Sequence, residues 1–339
     1  MKLLVTGSTG LVGSEAVSYF TEKGWDVIGA DNNMRHKFFD TPEKTPQVKA
    51  DLTQQDEVEW LFKKYGPFDA IIHTAAQPSH DYSKEHVLED FDVNARATVL
   101  LLEAARHFSS ETVFVHCSTD KIYGEGMQTD LWEDNTRYIP LPLEATHLGA
   151  TSVGVLEGFD ESTSVCPALS PFGVAKLAAD FYVQEYAAQG WLTTGVFRMG
   201  CITGRNHEGA EQHGFLAYLA KCIKEGKTYN IYGYKGKQVR DQIHAYDLVS
   251  AFECFIQKPI SGGVYNIGGG PERSVSVIEA GKLISEKTGK PFLYELKEEP
   301  RFGDRQWDVH DVSKFRSDYP EWEYKYSLDD IINDLCTKS

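Results

Sequence analysis

Two hydrophobic patterns alternate along the first ~200 residues. Short, almost wholly apolar runs are followed by longer segments whose apolar residues recur every three or four positions. The runs predict buried strands over Leu3–Thr6, Asp26–Asp31, Val48–Asp51, Ala70–Thr74, Val113–Ser118 and Thr193–Arg198. The longer segments predict helices over Leu11–Lys23, Gln54–Tyr65, Val87–Phe108 and Pro171–Gln189. Gly24 stops the first helix, Thr53 is placed to cap the second with Asp56 three residues on, and Pro171 opens the last. Ala95, Thr98, Leu102 and Ala105 share one helical face, which packs either inward or against another helix.

A βαβα alternation predicts an α/β fold: a doubly wound parallel sheet with helices on both faces and right-handed crossovers. Beyond residue 200 the elements shorten, and Gly, aromatic and charged residues mix. That change predicts a smaller α+β lobe over the carboxyl ends of the strands, where ligands bind in such sheets. The expected division is a sheet domain of residues 1–200 plus roughly 238–258, and a lobe of 201–237 and 259–339.

Charge and cysteine usage narrow the classes. The 339 residues carry a formal charge of -16, which argues against a nucleic-acid partner, since that needs a basic face. Six cysteines, at 117, 166, 201, 222, 254 and 336, form no C-x-x-C pair, so no metal is expected. The apolar start Met1–Val5 is too short for a signal or a span, and no apolar run reaches membrane length. Reduced thiols, a cytoplasmic location and no membrane partner are expected.

The first candidate site is the turn Gly7-Ser8-Thr9-Gly10-Leu11-Val12-Gly13, between a strand and a helix. Gly7 permits a tight turn, Gly10 lets backbone approach a pyrophosphate, and Gly13 lets the helix pack close. A pyrophosphate there would face the helix N-terminus. Asp31, with Asn32 beside it, ends the second strand, where a carboxylate accepts from the adenosine ribose hydroxyls and repels a 2′-phosphate. Arg35 nearby softens that argument, but Asp31 favours NAD. Asp51-Leu52 could border the adenine, and the small residues Thr74-Ala75-Ala76 suit a close pass beside the cofactor.

The chain resembles the extended short-chain dehydrogenase/reductase family of nucleotide-sugar epimerases and dehydratases. The likeness spans nearly the whole chain. It rests on the glycine turn, Asn94, Ser118-Thr119-Asp120-Lys121-Ile122-Tyr123-Gly124, Ser170-Pro171-Phe172-Gly173-Val174-Ala175-Lys176, Gln238-Val239-Arg240-Asp241 and Tyr265-Asn266-Ile267-Gly268-Gly269. Within the family, Gly158–Thr163 and Gly236–Asp241 resemble the CDP-paratose 2-epimerase group. The resemblance implies NAD kept bound, transient oxidation of a sugar carbon, and a nucleotide-diphosphate sugar as substrate, CDP-linked by the finer likeness. Asn94 is a cofactor-site residue by the same resemblance.

The resemblance also implies a Tyr base four residues before a Lys, with a Ser/Thr binding the same hydroxyl. Lys176, Thr119 and Ser118 are present, but Phe172 occupies the Tyr position and has no proton to transfer. Three accounts stay open: another group moves the proton, the Tyr was exchanged for Phe by engineering, or the chain binds without turnover. Candidates for the first are Lys121, Asp120, His80 and Cys166. A desolvated lysine can act as a base, but Lys121 reads equally as ion-paired. His80 lies in a loop that lines the family's substrate site, and reads equally as a surface or capping histidine. Cys166 and Cys201 read mainly as packed thiols, and His213 and His244 as structural. In the related dehydratases a second acid follows the first, and Lys121 replaces it here.

Arg240 and Arg305 match positions where the family grips the diphosphate, a task suited to planar guanidinium groups, with Lys237 a weaker candidate. Asn206 falls where the family places a substrate-contacting Asn, and Tyr232 and Phe215 could flank the base. Arg137–Ser164 is a connection of about 28 residues, long enough to be functional, and is expected to border the sugar or to pack at a surface. The helices Val87–Phe108 and Pro171–Gln189 correspond to those that pair in family dimers, so a homodimer or homotetramer is expected.

Overall fold

The computed structural model describes residues 1–34, 45–127, 129–141, 158–165, 170–204, 207, 209, 211 and 214–337. Arg35, Cys166, Asn206 and His213 lie outside them. Seven strands build one parallel sheet: β1 (Lys2–Thr6), β2 (Asp26–Asp31), β3 (Gln47–Lys49), β4 (Ala70–His73), β5 (Val113–Thr119), β8 (Thr193–Met199) and β12 (Gly263–Ile267). Two short strands, β6 (Leu131–Glu133) and β7 (Tyr138–Pro140), intervene as an antiparallel pair.

The sheet order is β12-β8-β5-β4-β1-β2-β3. The chain winds outward from β1 to β3, then returns to the other side of β1 with β4. That reversal opens a crevice at the carboxyl ends of β1 and β4, the switch point where such sheets bind ligands. Successive residues of β1 point to opposite faces. Leu3 and Val5 enter one core with Phe20, Phe197 and Phe252, while Leu4 enters the other with Phe62, Leu101 and Phe114.

The helices of these two layers include the four predicted stretches and two more, over 80–85, where a loop was expected, and 245–257. They are α1 (Leu11–Glu22), α2 (Gln55–Tyr65), α3 (His80–Glu85), α4 (Val87–Phe91), α5 (Ala97–Phe108), α6 (Pro171–Ala188) and α8 (Ala245–Gln257). Two details differ. Thr53 does not cap α2: its hydroxyl donates to Asp51 Oδ1 at 2.8 Å, and no side chain bonds the helix start at Gln54. The stretch 87–108 is not one regular helix, because a π-helical turn, Asp92–Arg96, separates α4 from α5. Ala95, Thr98, Leu102 and Ala105 are all buried, so that stripe packs inward.

The second lobe holds β9 (Cys201–Thr203), β10 (Tyr229–Tyr232), β11 (Val239–His244), β13 (Ser274–Ser276), β14 (Tyr294–Lys297) and β15 (Trp307–Asp308). β11 pairs with β13, β15 and β9, and β10 pairs with β14. Helices α7 (Phe215–Glu225), α9 (Val277–Thr288) and α11 (Leu328–Thr337) enclose this lobe's own core, while α10 (Ser313–Asp318) returns to the large sheet's core through Phe315.

The expected division needs two corrections. β11 belongs to the lobe, because its partners are β9, β13 and β15. β12 belongs to the large sheet, because it pairs with β8 over Gly263–Ile267. Sequence order could not reveal this, since the chain crosses between the layers at these points. A strap at Gly158–Val165 also joins them. Phe159 N–H donates to Val309 O and its carbonyl accepts from Asp311 N–H, while Asn266 Nδ2 donates to the same carbonyl. A Cβ at Gly158 would lie 2.2 Å from Asp311 N, so only glycine allows this approach. The middle of the long connection, 142–157, lies outside the described residues.

Candidate active site

The glycine turn is shaped by contact as well as by conformation. Gly7 has φ +66°, and a Cβ there would lie 2.7 Å from Ala75 Cα. A Cβ at Gly13 would lie 2.1 Å from Gly7 O. Thr74 Oγ1 donates to Thr6 O at 2.7 Å and ties β4 to the turn. Gly7 therefore has no room for a side chain against the Ala75 backbone. Helix α1 starts at Gly10 with no side-chain cap and no acid in its first turn. Its first N–H groups keep their capacity for an anion, and the local dipole favours one.

Asp31 stands at the edge of this turn. Its Oδ2 accepts from Thr9 N and Thr9 Oγ1, and its Oδ1 from Asn33 N. A pyrophosphate on bare N–H groups and a ribose against a carboxylate are what NAD requires, so these residues fit it. Among the other predicted cofactor residues, Ser8 Oγ donates to Gln47, Asn32 Oδ1 accepts from Met34 N, Asp51 Oδ1 accepts from Thr53, and Leu52 is buried. Asn94 brackets one residue of the loop after β4. Its Oδ1 accepts from Gln77 N, and its Nδ2 donates to Gln77 O and to Asp90 Oδ1.

At the end of β5 the side chains diverge. Ser118 points away from the crevice and donates to Asp180 Oδ2 at 2.8 Å, inside a buried Asp180–Arg198–Tyr123 network. Thr119, the next residue, is on the opposite face of the strand, and its hydroxyl donates to Asp120 Oδ1. Lys176 is buried on α6, and its Nζ donates to Cys117 O at 2.5 Å. Burial pushes its pKa down to about 8. Phe172, one helical turn earlier, is also buried, and the His80 ring meets it edge-on with centroids 5.0 Å apart. Burial, helped by the charge of Lys121, takes the His80 pKa down to about 4.

Beyond Thr119 lies a largely buried ion network. Lys121 Nζ bonds Asp120 Oδ2 at 2.6 Å and Asp308 Oδ2 at 2.9 Å. Burial opposes its charge, but the two carboxylates outweigh that and raise its pKa, so Lys121 is an ammonium ion. Arg305 donates to the same carboxylates, and Arg240 donates to Asp304 Oδ1 and Arg305 O. Both guanidinium groups are buried, and Lys237 pairs with Glu133. The two arginines expected at the diphosphate therefore already hold carboxylates. A diphosphate there would compete with those carboxylates, though Arg305 Nε has no partner among the described residues.

Asp120, Asp308 and His310 offer atoms within 4.8 Å of one another, a spacing a metal ion accepts. The cations Lys121 and Arg305 already hold those two carboxylates. His310 is itself protonated at neutral pH: burial opposes its charge, but Asp241 at 3.1 Å lifts its pKa to about 9. The cluster is thus a balanced ion network rather than a set of free ligands. Sequence reading did not find Asp308, His310 or Asp180. The only local signal is polar residues alternating with apolar ones in Trp307-Asp308-Val309-His310.

A doubly wound sheet with a bare helix start at its switch point defines a dinucleotide-binding α/β fold. The chain belongs to the NAD dependent epimerase/dehydratase family, whose model matches residues 3–268. It is an enzyme of the epimerase type, and its cofactor is NAD. It is 32% identical to CDP-paratose 2-epimerase of Salmonella typhi, over 99% of this chain and 98% of that one. The UDP-glucose 4-epimerase of Thermotoga maritima, solved with UDP-glucose, superposes with a TM-score of 0.80 at 25% identity, covering 99% of this chain and 97% of the other. That of Thermus thermophilus, solved with NAD, gives 0.81 at 24% over the whole of both chains, a likeness of fold. No helix among the described residues is long and apolar enough to cross a membrane.

Proposed function

We propose that this enzyme inverts C2 of a CDP-linked deoxysugar while keeping NAD bound through each cycle. The observation that carries this reading is the bare Gly7–Gly13 turn after β1, with Thr119 ending β5 two strands away and Lys176 bonded to the β5 backbone. The full-length likeness to a CDP-paratose 2-epimerase supports the choice of sugar and base. Bound NAD supplies reversible uptake of a hydride from the sugar carbon. Asp31 and the α1 start hold its ribose and its pyrophosphate, Lys176 faces its reacting half, and Thr119 binds the substrate hydroxyl. Lys121, caged as a cation where the dehydratases have a second acid, speaks against dehydration.

The test is turnover of CDP-paratose by the holoenzyme, with UDP-glucose and dTDP-glucose in parallel. Formation of the 2-epimer with a transient reduced-nicotinamide absorbance is expected for CDP-paratose alone. Turnover of UDP-glucose with CDP-paratose untouched would overturn the assignment. A cytoplasmic location is consistent with the five described cysteines, all free thiols.

We also propose a homodimer formed through α4 and α6. Leu88 is 81% exposed, and Val87, Phe91, Val174, Phe181 and Tyr182 are each about half exposed on these two helices. Exposed apolar side chains on two helices packed against each other point to an interaction surface. Leu88→Arg with Phe181→Arg should shift the protein from dimer to monomer in sedimentation velocity at micromolar concentration. An unchanged sedimentation coefficient would show that this face is not the interface.

A further inference from the structure

With Phe172 in the Tyr position, the epimerase reading needs another proton acceptor. The charged neighbours are already engaged. Lys121 is an ammonium ion held by two carboxylates. Asp120 accepts from Lys121, Arg305 and Thr119. Lys176 Nζ is directed at Cys117 O, and Ser118 points to Asp180.

His80 differs from all of these. Its Nδ1 lies 2.8 Å from Ser170 Oγ, which also accepts from Gly173 N and so caps α6, the helix carrying Phe172 and Lys176. Its ring lies against the Phe172 ring. Its Nε2 has no hydrogen-bond partner among the described residues, yet it is not among the sealed polar atoms. The imidazole is therefore fixed at one nitrogen and open at the other, beside the ring that replaces the phenol.

The backbone under His80 is equally fixed. Asn94 holds Gln77 at both N and O, as described above. The Gln77 side chain accepts from Ser79 N at 2.6 Å and donates to Ser79 O and Asp90. Ser79 then caps α3, whose first residue is His80. The π-helical turn that carries Asn94 thus sets the position of the histidine through one loop.

We propose that His80 is the proton acceptor and donor for the sugar hydroxyl, taking the place of the absent phenol. This rests on the epimerase reading. In the oxidising step the hydroxyl O–H bond breaks and an Nε2–H bond forms. The electron pair left on oxygen makes the carbonyl as the carbon's hydride passes to the bound NAD. In the returning step the carbonyl oxygen takes the proton back from Nε2. For this, Nδ1 must carry the resting proton and donate it to Ser170 Oγ, leaving the Nε2 lone pair free. Burial first of all keeps His80 neutral; of the charged groups acting on it, Lys121 and Arg305 add to this, and Asp120 and Asp81 oppose it.

Two measurements test this. Nitrogen NMR of labelled histidine in the NAD-loaded protein, without substrate, reads the His80 tautomer. Protonation at Nδ1 is expected, and protonation at Nε2 would overturn the proposal. His80→Asn keeps a donor toward Ser170 but has no ring nitrogen. With CDP-paratose it should lower kcat by about 100- to 10,000-fold with KM within about threefold, while NAD stays bound. A kcat within about threefold of the wild type would sink the proposal. If the wild type itself leaves CDP-paratose unchanged, the substrate assignment fails, and the tautomer still decides the role of His80.

Discussion

Asp308→Ala should lower the unfolding free energy by about 3–5 kcal/mol, the loss typical when one member of a buried ion network is removed. Asp308 is 2% exposed and accepts from Lys121 at 2.9 Å and Arg305 at 3.1 Å. Arg240 Nε lies 4.0 Å away and His310 Nε2 3.9 Å away. Alanine would leave these cations facing one another in a largely buried space, to which only the Lys121 end is partly open. The attraction Asp308 provides need not exceed its own desolvation cost for the loss to be large. What counts is that its partners cannot leave. Urea denaturation followed by far-ultraviolet circular dichroism measures the effect. A loss under about 1 kcal/mol would mean that the cations relax into solvent, as surface pairs do.

Gly13→Val should abolish stable retention of NAD, weakening it by more than about 100-fold, or ~2.7 kcal/mol. The smallest side chain already places a Cβ 2.1 Å from Gly7 O and 2.9 Å from Ser8 Cα. Both atoms belong to the turn backbone, so no side chain can move aside. The turn must open, and the first N–H groups of α1 then no longer converge. Isothermal titration of the stripped protein with NAD reads the loss. Unaltered affinity would mean that the turn adapts by shifting α1 as a unit, and that its spacing from β1 is not what binds the pyrophosphate.

The parts legible in the sequence are those written locally. β2 runs over Asp26–Asp31 as the alternation predicts, and α1 and α6 differ from expectation by one residue each. Strand periodicity and a glycine turn involve neighbours within a few positions. The ion network is different in kind. Arg305 meets Asp120 across 185 residues and Lys121 meets Asp308 across 187, and nothing near either end announces the partner. The same holds for Ser118. Its side of the strand is set by the pleat and by Asp180 on α6, so a motif that places Ser118 and Thr119 together does not tell which one faces the crevice. Phe172 is legible as an anomaly. His80 is legible as one candidate among several, but its place beside Phe172 is not, because it is held there by Ser170, 90 residues away.

The uncapped start of α1 has a wider consequence. Several other helices close their own ends: Ser79, Ser170, His244 and Ser276 each accept from the turn they precede. The helix behind the glycine turn leaves that task to a small molecule. A ligand that binds only the folded chain stabilises it by about 2.7 kcal/mol at a hundred times its dissociation constant. NAD is in that sense a missing piece of the polypeptide, supplied from outside. The lifetime of the chain in a cell would then follow the size of the dinucleotide pool, and scarcity of NAD would thin the enzyme population before it slowed any single molecule.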